Sequence, residues 1–181
     1  MNYVEEVRKI VEDTIESPTA IDAEIKDTQK DESLSATGIA DKVAELKNQA
    51  SELVVAAHKQ LLSLKEEFHE AAEKLSLFDG DMLNDDARII QSGISLSTEQ
   101  IEHLAERNKD NAFVLELLRK YCSDNHVVAT IPLSVPQIIA NFDEFSDRAI
   151  SMLHEPASSL RLAYFIDEKR GYVPEGAERV S

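Results

Sequence analysis

The sequence predicts an all-α protein: an elongated helical bundle with one long central helix over about residues 37–77 and shorter helical hairpins. Three observations carry this. Gly and Pro number only five each in 181 residues, whereas all-β folds need turn residues far more often. Apolar residues make up 43% but aromatics only 6%, with no Trp, so the core must be built mostly of Leu, Ile, Val and Ala, which suits helix-on-helix packing. From Thr37 to Leu77, apolar side chains recur every three or four residues and no proline intervenes.

Taken in order, Tyr3, Val4, Val7, Ile10, Val11 and Ile15 fall at helical spacing. Ser17-Pro18 then reads as a break and restart, with serine as N-cap and proline at the first helical position. A weaker helix carries Ala20, Ile21, Ala23 and Ile25. Residues 1–34 are therefore expected to form an acidic N-terminal helical arm or hairpin. Residues 35–166 form a helical core domain, and 167–181, a polar stretch with two glycines, a mobile tail.

The long helix places Ile39, Val43, Leu46, Ala50, Leu53, Ala57, Leu61, Leu64, Phe68, Ala71 and Leu75 on a heptad seam with one four-residue stutter at Ala57–Leu61. A rod of about 60 Å has two uses for such a seam. It meets another chain, or it lies under the other helices of its own chain. The first use makes Ile39, Val43, Leu46, Leu53, Leu61, Leu64, Phe68 and Leu75 an oligomer or partner seam.

Phe78-Asp79-Gly80-Asp81 ends the rod, and Asp85–Gln91 makes a short helix. Leu96-Ser97-Thr98-Glu99-Gln100-Ile101 is a capping box with staple positions at Leu96 and Ile101. It opens a helix over 98–107, and a turn at 108–111 leads to a second helix with Phe113, Val114, Leu117, Leu118 and Tyr121 on one stripe. His126–Ile131 is β-branched but has no second strand to pair with, so it reads as an extended connector. Ser134–Gln137 repeats the serine–glutamine cap. The next helix aligns Ile138, Ile139, Phe142, Phe145, Ala149 and Leu153, and Pro156 restarts a last one with Leu160, Ala163, Tyr164 and Phe165.

The net charge of −16 disfavours nucleic acid and anionic membranes as partners. Residues 1–35 alone hold ten acids against four bases. The densest basic cluster is Lys169-Arg170, with no interleaved aromatics. One cysteine, Cys122, excludes an intramolecular disulfide framework and fits a reducing compartment. The N-terminus lacks a secretory pattern and no window approaches eighteen apolar residues, so the expected location is cytoplasmic, not secreted.

Candidate chemistry is sparse. Glu66-x-x-His69 is half of a di-metal bundle motif, which needs such a pair on two helices. Glu66 lies about 200° round the helix from Leu64, and His58, His69 and Glu73 form a flanking row. Asp79-Gly80-Asp81 with Asn84, Asp85 and Asp86 fails as a calcium loop, because Leu83, Asn84 and Ile90 fall where an oxygen ligand, a glycine and a glutamate are required. His103 between Glu99 and Glu106 is a surface constellation, and Cys122 reads as a small core residue. No nucleophile elbow, phosphate loop or dinucleotide fingerprint is present. The expectation is a protein that is not an enzyme, with no metal and no cofactor.

The stretch LSTEQIEHLAERNKDNAFVLELLRKYCSDN, residues 96–125, resembles small acidic helical proteins of phage structural-gene clusters. The long acidic helix before it is similar to phage scaffolding or capsid-associated proteins. That resemblance implies a virion or assembly role, in the host cytoplasm or the virion. The expected function is thus a structural or assembly protein that self-associates through the seam as a homo-oligomer, or contacts another structural protein. The alternative is an acidic adaptor or inhibitor that binds a basic, nucleic-acid-handling partner.

Overall fold

The computed structural model describes residues 2–75, 83–154, 162, 165–167 and 173–180. Six α-helices are assigned among them: α1 Tyr3–Gln29, α2 Ala36–Lys74, α3 Asp85–Gln91, α4 Thr98–Arg107, α5 Ala112–Asn125 and α6 Val135–His154. A 3₁₀ turn follows at Ala177–Arg179. The described residues contain no strand, so the all-α class holds, and α2, at 39 residues, is the long helix the apolar spacing predicts. The contacts divide the chain into two compact units, one of Met1–Glu66 with Asp143–Val173, the other of Glu67–Phe142 with Pro174–Ser181. This division cuts across the arm, core and tail expected from composition.

In the first unit α1 is one continuous helix of 27 residues, not two helices broken at Ser17-Pro18. Proline removes one backbone donor and costs a helix about 3 kcal/mol, but the helix is fastened elsewhere. Val7 and Val11 are completely buried, as are most of Tyr3, Val4 and Arg8, and Thr28 is buried near the far end. Arg8 Nε donates to the Phe165 carbonyl at 3.1 Å. The N-terminal segment is therefore docked through its first half. Asn2 accepts from the Glu5 amide at 3.3 Å to cap it. In the turn that follows, Asp31 accepts from the Ser33 amide at 2.9 Å, and Ser35 Oγ accepts from the Gly38 amide at 3.1 Å to start α2.

The same unit pairs α2 with the second half of α6. Lys65 Nζ reaches Asp147 at 3.0 Å and Asp143 at 3.4 Å, and His58 Nδ1 lies 3.0 Å from His154 Nε2. His58 precedes Lys65 by seven residues and His154 follows Asp147 by seven, which is the register of two antiparallel helices. Phe145 stacks on Phe165, with ring centroids 4.9 Å apart.

In the second unit Phe68 of α2 stacks on Phe142 of α6 at 3.7 Å. A separate core joins α3, α4 and α5: Ala87, Ile90, Ile101, Leu104, Ala105, Val114, Leu115 and Leu118 are buried together, with Leu96, Tyr121 and Cys122 packed on them. The capping box forms as the sequence spells it. Gln100 N donates to Ser97 Oγ at 3.3 Å, and Ser97 N donates to Gln100 Oε1 at 2.9 Å. Asn111 caps α5 through the Val114 amide. His126 ends α5 in the left-handed conformation, φ 55°, and the extended connector follows. The second cap differs from expectation: Ser134 N and Oγ both donate to the Gln137 side chain.

The expected mobile tail is partly held. Pro174, Gly176, Ala177 and Val180 are buried. Asn141 Nδ2 donates to the Glu175 carbonyl at 3.1 Å, and Arg179 Nη1 to the Leu133 carbonyl at 2.9 Å. Composition misses this because the attachment rests on a few backbone acceptors and one tight approach. Gly176 has φ +87°, and a Cβ placed there would stand 2.6 Å from Ile138 Cγ1. The expected last helix after Pro156 lies mostly outside the described residues, although Phe165 is helical and buried.

Gly176→Ala is therefore expected to destabilise the protein by about 1–3 kcal/mol, through backbone strain and the clash with Ile138. Chemical denaturation would read this as a lower midpoint at unchanged slope. An unchanged midpoint would mean that the 173–180 segment contributes nothing to stability.

Candidate functional site

The structure turns the predicted seam largely inward. Leu46, Ala57, Leu61, Leu64 and Phe68 are buried within their own chain. Ile39, Val43 and Leu75 are half-buried, and Leu53 is exposed, at 41%. Past the stutter the buried position moves from Ala71 to Ala72. A helix of 3.6 residues per turn drifts away from a strict heptad, and the neighbours in the same chain follow that drift.

Two apolar residues face the other way. Val55 is 47% exposed and Leu62 45%, seven residues apart and about 180–200° from Leu53. Glu66 is exposed and His69 half-buried. Among the described residues, no three His, Cys, Asp or Glu side chains converge as a metal ligand set. The Asp79–Asp81 turn and Lys169-Arg170 lie outside the described residues. Cys122 packs on the α3–α5 core, and burial pushes its thiol up, away from the thiolate a nucleophile needs.

An exposed charged stripe lies along α1. Glu5, Glu12, Asp13, Glu16, Glu24 and Asp27 are all exposed. At 100° per residue they fall within an arc of about 120°, opposite buried Val7 and Val11. From Glu5 to Asp27 this stripe runs about 33 Å, with Lys9 the base along its middle. Amphipathic spacing that docks one face of α1 necessarily sends these carboxylates outward. The charge density of residues 1–35 was legible in the sequence. Its collection on one face was not, because the Ser17-Pro18 break would have reset the phase.

The best-connected polar cluster is one that the sequence reading passed over. Asp86, 2% exposed, sits in the first turn of α3, near the positive end of the helix. It accepts from Arg107 Nε at 2.9 Å, from Arg107 Nη2, and from Asn108 Nδ2 at 2.7 Å. Asn108 also donates to the Leu104 carbonyl at 2.8 Å and accepts from Asn84 Nδ2 at 2.7 Å. Asn84 in turn caps α3 through the Ala87 amide. Burial works against the charge of Asp86. The Asn108 amide and the Arg107 guanidinium outweigh it, with a smaller pull from His103, and the carboxyl is held below its usual value. The cluster locks the start of α3 to the end of α4. Lys65 shows the converse: burial opposes its charge, but Asp147 and Asp143 hold its ammonium above the ordinary lysine value.

A cleft of about 170 Å³ opens beside α5 and the start of α6, walled by Ala112, Leu115, Leu133 and Val135 with Arg119 and Arg179 at its edge. Both guanidinium groups bind the chain itself. Arg119 pairs with Glu116 and donates to the Pro132 carbonyl, and Arg179 holds the Leu133 carbonyl. These contacts fasten the connector and the tail. No protein-family model matches the sequence, and no curated protein or solved structure matches it either.

Two substitutions test the buried polar groups. Asp86→Asn is expected to cost about 2 kcal/mol at neutral pH, by loss of a buried charged acceptor. A carboxyl lowered in the native state stabilises above its unfolded value of 3.8 and loses that contribution as pH falls through the native value. The gap between wild type and variant, measured by urea denaturation, should therefore close as pH drops below 3.8. Ser146 is fully buried, and its Oγ has no hydrogen-bond partner among the described residues. Ser146→Ala should leave the melting temperature unchanged or raise it, with a gain of up to about 1 kcal/mol.

Proposed function

We propose that the chain is a non-enzymatic interaction protein, an acidic adaptor or inhibitor that docks its α1 face on a basic groove of a partner, such as a nucleic-acid-handling protein. The observation that carries this reading is the stripe of exposed carboxylates over about 33 Å of α1, in a chain of charge −16. Carboxylates collected on one helix face, with only Lys9 among them and Glu24 shared with Lys42, are matched by a partner with a complementary basic face. The inward turn of Leu46, Leu61, Leu64 and Phe68 also leaves less of the seam for a second copy. The place of action is a reducing compartment, the cytoplasm, in keeping with a single unpaired Cys122.

A second reading keeps the assembly role suggested by residues 96–125, in the host cytoplasm or a virion. It is favoured by the exposed Val55 and Leu62 on one face of α2, and it makes the chain a homo-oligomer or a companion of another structural protein. Light scattering behind size-exclusion chromatography separates the two. The adaptor reading expects a 20.2 kDa species in low and high salt. It also expects capture of a basic partner that is lost near 1 M salt, where the screening length is about 3 Å, and lost in a Glu5→Lys, Glu12→Lys, Glu16→Lys variant. A fixed multiple of that mass at both salts, dissolved by Val55→Asp with Leu62→Asp, would instead establish the assembly reading.

A further inference from the structure

His58 and His154 come from helices 96 residues apart in sequence, yet their ring nitrogens converge. His58 Nδ1 and His154 Nε2 are 3.0 Å apart, and the rings meet edge-on, at 69° with centroids 5.1 Å apart. His154 is exposed and His58 half-buried. The atoms in contact are ring nitrogens, the groups through which imidazole binds a metal.

Imidazole nitrogens bind late first-row metals at about 2.0–2.1 Å. Two such bonds at angles between about 90° and 109° place their nitrogens about 2.9–3.4 Å apart. The observed separation of 3.0 Å falls in that window. A direct hydrogen bond also fits the distance, but on an exposed face it contributes only about 0.5–1.5 kcal/mol. Nor does it explain why two of the five histidines in the chain meet across helices.

We propose that His58 and His154 form a two-nitrogen chelating site for a divalent late first-row transition ion, of the Cu²⁺, Ni²⁺ or Zn²⁺ class. The neutral rings each give one lone pair, and water fills the remaining positions. The ligand type selects this class over Mg²⁺ or Ca²⁺, which prefer oxygen. The surroundings favour a cation. Two turns from the histidines on each helix, Lys65 pairs with Asp147, and the chain as a whole is strongly acidic. Because one ligand belongs to α2 and the other to α6, metal binding would also clamp these two helices in the first unit.

The test uses the full chain with NiCl₂ or ZnCl₂ alone, read by titration calorimetry and by melting temperature. One ion per chain should bind, and the melting temperature should rise with metal concentration. Loss of even an outer partner of a metal site costs about 10–100-fold in affinity. His58→Ala and His154→Ala should each therefore weaken binding at least tenfold and abolish the thermal shift. His103→Ala, on α4, should leave both unchanged. Circular dichroism would confirm that the exposed-site variants remain folded. Absence of binding, binding that survives either substitution, or an equal loss in His103→Ala would overturn the proposal.

Discussion

Leu46, Ala57, Leu61, Leu64 and Phe68 leave water inside their own chain, and the other features of the molecule accommodate that burial. An isolated helix gains little from propensity alone. The stability of α2 comes from the apolar stripe it sinks into its neighbours, at about 1.5–3 kcal/mol for each large side chain. Once that stripe is committed, α6 must present Phe142 to Phe68, and Asp143 and Asp147 to Lys65. In the first unit, the antiparallel register set this way also brings His58 against His154.

Polar locks divide the remaining work. The Asp86–Arg107–Asn108–Asn84 cluster fixes α3 against α4, and every member is partnered, which is the condition under which a buried charge stabilises instead of costing. Side-chain donors to backbone carbonyls do the rest where helices cannot. Arg8 holds Phe165, Arg119 holds Pro132, and Arg179 holds Leu133. Long guanidinium side chains reach carbonyls that no secondary structure satisfies. At the connector and the tail they make attachments out of segments that look unstructured by composition.

The functional reading follows from what is left outside. With α1 docked by Val7, Arg8 and Val11, its carboxylates have no place but the surface, and they align. The same amphipathicity that stabilises the helix thus creates an acidic face. Among the described residues no helix is long and apolar enough to cross a membrane.

Local sequence features were enough to define α2 to α5. Apolar spacing defined α2, the capping box defined α4, and Asp85–Gln91 and the stripe of Phe113, Val114, Leu117, Leu118 and Tyr121 stood out as α3 and α5, because caps and periodicity are local properties. The sequence also determined the acidity of the N-terminal segment. Tertiary structure alone decided three things. The seam of α2 turned inward, since a heptad pattern looks the same whether its holes belong to another chain or to this one. Ser17-Pro18 stayed within one helix, since a proline that starts a helix and one that is carried through it read alike until packing on both sides is known. His58 met His154 and Asp86 met Arg107, since pairs 96 and 21 residues apart leave no trace in any local pattern.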